Sequence, residues 1–285
     1  MAIRLLQRLI DALLGLDGGY VLNGNSVNET PPAEIAAELR TIVDQLKMEA
    51  FDVGNGQVNY RVLKDSSTYR NYKKVAEGLR HFDLAALRSR EERLAFWINL
   101  YNSLIIDAVI SFGIEKTIWE AGRGFFRKAA YDIGGLRYSA DDMEHGILRG
   151  NRSHPVMRLP QFAKGDPRIG HAIVPMDPRI HFALVCASRS CPLITVYHAS
   201  EIEEELETAA NTFINGGGVI VEPKLARAHL SRIFSWYQKD FGGRTGTLEF
   251  IVAHLREGPE KDYLRENIGK VRLSYQKYDW SLNHY

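Results

Sequence analysis

Two cysteines are the residues of this chain whose type and placement could most directly support covalent chemistry. Cys186 and Cys191 lie in the run HFALVCASRSCP at 181–192, and the chain has no other cysteine. Cys191 follows a predicted strand and has Arg189 close by in the sequence. A turn at a strand end exposes its side chains, and a nearby cation or free N–H groups lower a thiol pKa. We therefore predict Cys191 as a nucleophile and Arg189 as a binding residue; the alternative is a turn cysteine without function.

A cysteine nucleophile needs a base, and histidine is the usual one. The candidate histidines are His145, His154, His171, His181 and His198. We favour His145, which follows Glu144 on a predicted helix, and His181, which lies on the strand that leads to Cys191. Glu144 would orient the base. The alternative for each histidine is a hydrogen-bonded structural role.

The apolar run LAFWINLYN at 94–102 contains two asparagines on one face of a predicted helix, since Asn99 and Asn102 are three residues apart. An amide buried without partners is costly. The two side chains therefore either bind backbone groups of a neighbouring loop or line a polar cavity. In the second case Asn99 would orient the base or stabilise an oxyanion, and Asn102 and Trp97 would contact the ligand. One hollow shared with Cys191 and a histidine would explain all these buried polar groups together.

Metal and cofactor chemistry is not indicated by the motifs. His181, Cys186 and Cys191 offer nitrogen and sulfur ligands, but their spacing fits no zinc pattern. On a regular strand residues 181 and 186 face opposite sides, so we predict Cys186 to be a packed thiol. The chain also lacks GxxxxGK[ST], GxGxxG after a strand, HExxH and GxSxG. We predict no metal and no cofactor.

The composition is that of a globular protein with a sizeable core. The chain has 285 residues, of which 45% are hydrophobic and 25% charged, with a net charge of +1. This balance gives no electrostatic reason to expect nucleic acid as a partner. Helices outnumber strands and alternate with them irregularly. We predict a helix-rich α+β single domain with a small mixed or antiparallel sheet, of which papain-like and transglutaminase-like folds are examples.

The elements that must position these residues follow from periodicity and turn signals. We divide the chain into N-terminal amphipathic helices at 1–54 and a main domain at 55–285. The predicted helices are an N-terminal one, one at 33–51 capped by Thr30 before Pro31, one or two within 66–87, a buried one at 90–112, one from the cap Ser139 to Gly150, one at 201–214 after a Ser200–Glu203 capping box, and two at 228–241 and 248–258. A hairpin at 125–138 turning at Gly134–Gly135, a loop at 151–178 and strands at 180–187 and 219–223 complete the prediction.

No segment reads as a membrane span or a secretory signal. The longest apolar stretch, 94–114, contains Asn99, Asn102 and Asp107, which lipid would tolerate poorly. The N-terminal run carries Arg4, Arg8 and Asp11 within its apolar positions, so we predict an amphipathic helix that packs on its own domain. With only two cysteines, a cytoplasmic location is expected.

Five runs in order resemble the domain-of-unknown-function family numbered 547. They are LAFWINLYN at 94–102, EHGILR at 144–149, HFALVCASRSCP at 181–192, FSWYQKDF at 234–241 and YDWSLN at 278–283, and the likeness extends from about residue 55 to 283. It implies that the pattern positions are Trp97, Asn99, Tyr101, Asn102, Glu144, His145, His181, Cys186, Cys191 and Pro192. Members often read SCPPL where this chain reads SCPLI, and some are fused to coiled-coil regions. The family implies no established reaction.

Two functions from different classes are consistent with these features. The first is papain-like or transglutaminase-like acyl transfer, in which Cys191 attacks an amide or ester carbonyl of a peptide-like substrate. The second is a catalytically silent protein-binding or scaffolding module. In that case the aromatic residues Trp236, Tyr237, Tyr278 and Trp280 would serve as packing anchors or partner contacts.

Overall fold

The fold is built around one long buried helix. The computed structural model describes residues 9, 12, 13, 19–24 and 34–285. The predicted N-terminal helix lies mostly outside these residues, as do Thr30 and Pro31; of its apolar positions Leu13 is described and is exposed. The described helices are α1 (Ile35–Ala50), α2 (Tyr60–Asp65), α3 (Ser67–Gly78), α4 (Arg90–Ser111), α5 (Phe125–Lys128), α6 (Ile202–Phe213), α7 (Arg232–Trp236), α8 (Gly243–His254) and α9 (Pro259–Asn267), with a π-helix at Asp142–Leu148.

The strands form small, separate sheets. They are β1 (Phe51–Asp52), β2 (Gln57–Val58), β3 (Ala130–Ile133), β4 (Leu136–Ser139), β5 (Val219–Glu222), β6 (Arg227–Leu230) and β7 (Arg272–Tyr275). β1 pairs with β2 and β3 with β4, both antiparallel. The third sheet has the order β5-β6-β7, in which β6 and β7 run parallel. The chain is therefore a helix-rich α+β domain, as predicted.

Helix α4 is the centre of the core. It begins with a reciprocal capping box in which the Ser89 side chain binds the Glu92 backbone and the Glu92 carboxylate binds the Ser89 backbone. Every residue from Leu94 to Val109 is buried. Among the described helices, α4 is long and apolar enough to cross a membrane, but 89% of its apolar window is covered by the rest of the domain. It is the core helix that the sequence predicted.

A buried carboxylate fixes α4 against its neighbours. Asp107 is fully buried and accepts hydrogen bonds from Tyr69 (2.6 Å) and Tyr131 (2.7 Å). It also forms a 2.7 Å ion pair with Lys73. These partners come from α3 and β3, so one ionised side chain joins three elements. Such a buried charge is tolerated because its oxygens are fully hydrogen-bonded.

Apolar side chains form two clusters on either side of the segment that carries the predicted chemistry. The larger cluster surrounds α4 and includes α1, so residues 35–50 pack with the main core. The smaller cluster lies between the β5-β6-β7 sheet and helices α6 to α9. Ile180 belongs to the first cluster and Phe182 to the second, which leaves His181 at their junction. The predicted boundary at residue 54 stays a prediction.

Several predicted elements have different conformations in the structure. Residues 180–187 are not a strand: a short 3₁₀-helix, Pro178–Phe182, precedes a segment without regular structure. The predicted helix at 228–241 is divided between β6 and α7. Ser200 does not cap α6, which begins after Glu201 without a side-chain cap. The predicted hairpin at 125–138 is confirmed around its Gly134–Gly135 turn but begins only at Ala130, because Phe125–Lys128 form helix α5, and the Ser139 cap is confirmed. Helix α9 and strand β7 were not predicted.

Replacing Asp107 with alanine should lower the free energy of unfolding by about 3–5 kcal/mol, because the Lys73 ammonium and two tyrosine hydroxyls lose a buried partner. Urea denaturation of both proteins measures this difference. The matched control is Asp262→Ala, which removes a surface carboxylate paired with Arg265 at 3.0 Å. That change should stay within about 0.5 kcal/mol. Equal effects of the two substitutions would contradict the assigned role of Asp107.

Candidate active site

A largely apolar cavity of about 840 Å³ lies where the two clusters meet. It is lined by side chains from α4, the π-helix, the loop after it, the segment 181–192, α7 and the C-terminal segment. The apolar part of the lining is Trp119, Phe126, Val156, Met157, Leu184, Ile233, Trp236 and Trp280. The polar part includes both cysteines, Glu144 and three histidines. A concave apolar pocket with a few convergent polar groups is the usual form of a small-molecule site.

The two cysteine sulfurs are in direct contact at one wall of this cavity. Cys186 Sγ and Cys191 Sγ are 2.7 Å apart, and both residues carry free thiols. A reverse turn brings them together: Ala187 has a φ of 63°, and the Cys191 N–H donates to the Ser188 carbonyl at 3.1 Å. The left-handed conformation costs an L-residue about 1–2 kcal/mol. A regular strand, in which φ is negative, would not place a residue in this strained conformation.

Three hydrogens can point at Cys191 Sγ at once. The Cys186 N–H donates to it at 3.0 Å, and the Cys186 thiol and the Tyr278 hydroxyl lie at 2.7 and 3.3 Å. The buried Ser188 hydroxyl donates to Tyr278 Oη at 3.0 Å, which leaves the Tyr278 hydrogen for a sulfur. Burial alone would raise the pKa of the Cys191 thiol, but the hydrogen bonds that its sulfur accepts, that from Cys186 first, outweigh burial and lower the pKa to about 6. The contact with Cys191, together with burial, raises the pKa of Cys186.

Tyr278 reaches the sulfurs because the C-terminal segment pairs with the turn between the cysteines. The Arg189 N–H donates to the Ser281 carbonyl at 2.9 Å, and the Asn283 N–H donates to the Ala187 carbonyl at 3.0 Å. The Tyr278 ring also packs against Trp236 and Trp280, with centroids 4.8 and 4.5 Å away. The end of the chain is therefore part of the site.

His181 is held by a charged network on another wall. Its Nε2 lies 3.0 Å from Asp240 Oδ2, and its ring stacks on Tyr237 at 3.9 Å between centroids. The same Asp240 oxygen accepts from Arg149 Nε at 2.6 Å. Burial raises the pKa of Asp240, but hydrogen bonds from His181 and Arg149 outweigh it, so the net shift lowers the pKa. The ionised carboxylate thus selects the Nε2–H tautomer of His181 and leaves the Nδ1 lone pair available.

The π-helix supplies Glu144 and His145. The wider turn is marked by the Arg149 N–H, which donates to the Glu144 carbonyl five residues earlier at 2.8 Å. Gly146 permits the close packing of the following loop, since a β-carbon there would lie 2.2 Å from the Phe162 ring. The π-helix therefore directs Glu144 and His145 into the cavity, and its Gly146 allows the loop that carries Phe162 to pack against the helix.

Glu144 connects the histidine wall to the cysteine wall through two tyrosines. Its carboxylate accepts from Tyr237 at 2.5 Å and from Tyr101 at 3.3 Å. Burial, and then the negative charge of Glu144, raises the pKa of Tyr101 and of Tyr237. Both tyrosines therefore stay protonated and act as donors.

His145 and His154 are neutral imidazoles with a fixed tautomer. His145 Nδ1 accepts from Arg149 at 3.0 Å, and His154 Nδ1 accepts from the backbone N–H groups of Val156 and Met157 at 3.0 and 3.1 Å. Each ring must then carry its hydrogen on Nε2. Burial, with the positive charge of Arg149, lowers the pKa of both, that of His154 to about 4.

This hydrogen bonding bears on metal binding. Asp141, His145 and His154 lie close enough to share an ion, and so do His198, Glu201 and Glu205 outside the cavity. A histidine ligand must offer a lone pair, yet both Nδ1 atoms of the first group are occupied and both Nε2 atoms are protonated. Neither group includes a cysteine. The first group is therefore better described as hydrogen-bond donors than as metal ligands.

Asn99 and Asn102 bind backbone groups of a neighbouring segment, which is the first of the two alternatives predicted for them. Asn102 donates to the Ala183 carbonyl at 2.9 Å and accepts from the Val185 N–H at 2.9 Å. Asn99 makes the same pair of bonds with the N–H and carbonyl of Tyr197, at 2.9 and 2.7 Å. Neither lines the cavity with the cysteines. Both amides support the segment that carries the thiols.

The structure thus brings four of the predicted site residues together, namely Glu144, His145, His181 and Cys191, and places Asn99, Asn102, Trp97 and Arg189 elsewhere. Trp97 is buried against Tyr138, and Arg189 is exposed. Cys186, expected to pack away from the site, lines the cavity because the predicted strand is absent. Within the described residues the Cys191 sulfur contacts Cys186, Ser188 and Tyr278 and hydrogen-bonds to no imidazole.

Sequence reasoning missed the roles of several residues. Tyr278 and Tyr237 stood out as aromatic residues, but no spacing connects them to the cysteines. Asp240 and Ser188 lie in mostly polar stretches, QKDFG and ASRSC, where a polar residue is no signal of a role in the site. Tyr278 and Asp240 join the site by contacts across 87 and 59 positions, and Ser188 joins it through the local turn that also holds Cys191.

Comparison with known proteins finds a family match for the central part of the chain. Residues 84–214 match the model of a family described as a protein of unknown function, DUF547. The match includes α4, the π-helix, His181 and both cysteines, so the resemblance seen in the motifs is confirmed over this range. Searches of curated proteins and of solved structures found no match.

Replacing Asn102 with alanine should lower the free energy of unfolding by about 2–6 kcal/mol, because a buried carbonyl and a buried N–H each lose their partner at about 1–3 kcal/mol. Chemical denaturation measures the change. Asn211→Ala, which removes an exposed hydrogen bond to Glu207, is the matched control and should cost less than about 0.5 kcal/mol. A cost for Asn102→Ala as small as that of the control would show that the amide is dispensable.

Alkylation of Cys191 should reach half its plateau rate near pH 6, instead of near the ordinary thiol pKa of about 8.5. The midpoint is the informative quantity, because the weaker basicity of this thiolate offsets most of its greater abundance and leaves a rate advantage of only about 2-fold at pH 7. Site-resolved mass spectrometry after iodoacetamide pulses gives the profile.

Tyr278→Phe keeps the ring packing and removes one donor, so the midpoint should rise by about 1–2 pH units. Tyr275→Phe, a change in β7 at a residue that packs in the smaller cluster, should leave it unchanged. A midpoint above pH 8 in the unmodified protein would rule out a preformed thiolate.

Proposed function

We propose that this chain is a thiol-dependent acyl-transfer enzyme in which Cys191 is the nucleophile. The observation that carries the proposal is the set of hydrogen bonds around Cys191 Sγ. A backbone N–H, a thiol and a tyrosine hydroxyl converge on one sulfur beside an apolar cavity. An anion stabilised in this way is a nucleophile that needs no base to remove its proton.

The missing imidazole contact favours particular leaving groups. In papain-like sites a histidine next to the sulfur protonates the leaving amine. Here no imidazole hydrogen-bonds to Cys191 among the described residues, so an amide would lack its acid. Thioesters and activated esters leave as anions and do not need one. We therefore propose acyl thioesters or reactive esters, in place of peptide bonds, as the substrate class.

In the first step the Cys191 thiolate attacks the acyl carbonyl, a carbon–sulfur bond forms and the substrate thiolate or alkoxide departs. The low basicity of Cys191 then makes it a good leaving group from the acyl-enzyme. In the second step water attacks the thioester carbonyl and transfers one proton to His181 Nδ1. Asp240, which holds Nε2–H at 3.0 Å, stabilises the resulting imidazolium. The carbon–sulfur bond breaks, Cys191 leaves as the thiolate and the carboxylic acid is released, after which His181 gives its proton to solvent.

The cavity lining indicates the kind of acyl group. Tryptophan and aliphatic side chains form most of the wall, and 840 Å³ exceeds what a short acyl group fills. Each buried methylene contributes about 0.8 kcal/mol, so a longer chain binds better. A medium-length aliphatic or aromatic acyl group suits this wall. A reducing, cytoplasmic compartment would keep both thiols free, and we propose it as the location.

A binding or scaffolding module without chemistry is the second candidate. The observation in its favour is the same lack of an imidazole contact at Cys191. In this role the cavity would hold an apolar side chain of a partner protein, with Trp280 and Trp236 in its wall. Residues 1–54 would belong to the same interaction.

The test compares p-nitrophenyl octanoate, p-nitrophenyl acetate and octanoyl p-nitroanilide under reducing conditions. We expect turnover of the octanoyl ester at least about 10-fold faster than of the acetyl ester, because six more methylenes are buried. The anilide should not react. Cys191→Ser should abolish turnover, and mass spectrometry should find the octanoyl group on Cys191 of the unmodified protein.

His181→Gln separates the two steps. It should leave the burst of p-nitrophenol intact and slow the steady state, so that the acyl-enzyme accumulates. His198→Gln, at a histidine outside the cavity, is the control and should behave as the unmodified protein. If p-nitrophenyl octanoate binds but never acylates Cys191, the binding module is favoured.

A further inference from the structure

The second thiol is not needed for acyl transfer. A single nucleophile forms the acyl-enzyme, and acyl transfer uses the Cys186 side chain only as a hydrogen-bond donor to Cys191, a role that a hydroxyl at position 186 could also fill. Yet its sulfur lies 2.7 Å from Cys191 Sγ, with no other side chain between them. A disulfide bond measures about 2.05 Å, so the sulfurs need to approach by only about 0.7 Å to form one.

The surroundings of the pair also meet the requirements of thiol–disulfide exchange. The attacking sulfur is the one with the most donors and lines an open cavity. The second sulfur keeps its proton and is in contact with the first, as a resolving thiol must be. The Ser188 hydroxyl, 3.4 Å from Cys186 Sγ, and the Tyr278 hydroxyl, 3.3 Å away, can carry that proton when it leaves.

We propose that Cys186 and Cys191 form a redox-active dithiol that reduces a low-molecular-weight disulfide and closes to an internal disulfide. The Cys191 thiolate attacks one sulfur of RSSR, a mixed disulfide forms on Cys191, and one RS⁻ leaves and takes a proton from water. The Cys186 thiol then loses its proton and attacks the Cys191 sulfur. The internal bond forms and the second RS⁻ leaves with that proton. Two electrons pass from the protein to RSSR, which gives two RSH.

The closed disulfide should be easy to reduce. The loop between the two cysteines contains only four residues, so cross-linking removes little chain entropy from the unfolded state and stabilises the oxidised protein weakly. A reducing environment therefore returns the dithiol. Formation of the disulfide also consumes Cys191, the nucleophile of the proposed acyl transfer. Loss of acyl transfer on oxidation is the one consequence that rests on the proposed function.

The test equilibrates the full chain with mixtures of reduced and oxidised glutathione, blocks free thiols with N-ethylmaleimide and identifies the products by peptide mass spectrometry. The unmodified protein should lose two hydrogens and give a peptide cross-linked between Cys186 and Cys191. Cys186→Ser should stop at glutathione attached to Cys191. Arg189→Ala, at an exposed position on the same turn, is the control that keeps both thiols and should still close.

The proposal is overturned if the unmodified protein accumulates glutathione on Cys191 without the cross-link, or if neither cysteine reacts. Because no acyl substrate is present, these results do not depend on the proposed acyl transfer. Conversely, the other informative result is that the protein forms the cross-link with glutathione while the octanoyl ester never acylates Cys191 under reducing conditions. That result supports the dithiol proposal and overturns the acyl-transfer proposal.

Discussion

The site depends on how a buried segment without regular structure satisfies its backbone. Residues 183–200 form neither a helix nor an extended strand, so apart from the bridge between Ser188 and Leu282 no regular ladder pairs their N–H and carbonyl groups. Unpaired buried backbone groups are costly, and almost all of them find partners in folded proteins. Asn99 and Asn102 provide those partners from α4, each offering one donor and one acceptor to the segment.

This arrangement ties the chemistry to the core. Helix α4 is fixed by Asp107, its two asparagines fix the segment, and the segment then turns at Ala187 and brings the sulfurs together. The C-terminal residues cover the turn through backbone pairing and deliver Tyr278. The same fold that buries the thiols therefore also supplies the donors that stabilise an anion on one of them. Binding of the segment from both sides limits its freedom to move, as a preorganised site requires.

The charges of the cavity are arranged so that the imidazoles stay neutral. Arg149 is buried and donates to Asp240 and to His145, and burial, with the positive charge of Arg149 acting in the same direction, lowers the pKa of His145. Asp240 favours protonation of His181, while burial opposes it and lowers the pKa overall. A neutral His181 with a free Nδ1 is a base, whereas the Nε2–H groups of His145 and His154 are donors. Three histidines in one cavity thus have different capacities, set by what holds their other nitrogen.

Much of the architecture follows from local sequence. The apolar run at 94–109, the capping box at Ser89 and the Gly134–Gly135 turn determine α4 and the hairpin through periodicity and turn chemistry, which act over a few residues. The sequence also marked Cys191, His181, His145 and Glu144 as residues suited to one site. It could not reveal that residues 180–187 are irregular, because their β-branched and aromatic content resembles that of a buried strand. Tertiary structure alone decided that Cys186 faces Cys191, that the asparagines bind backbone, and that Asp240 and Tyr278 complete the site. The contacts of the asparagines, Asp240 and Tyr278 join residues 59 to 98 positions apart, and only the packing of the whole domain brings them together.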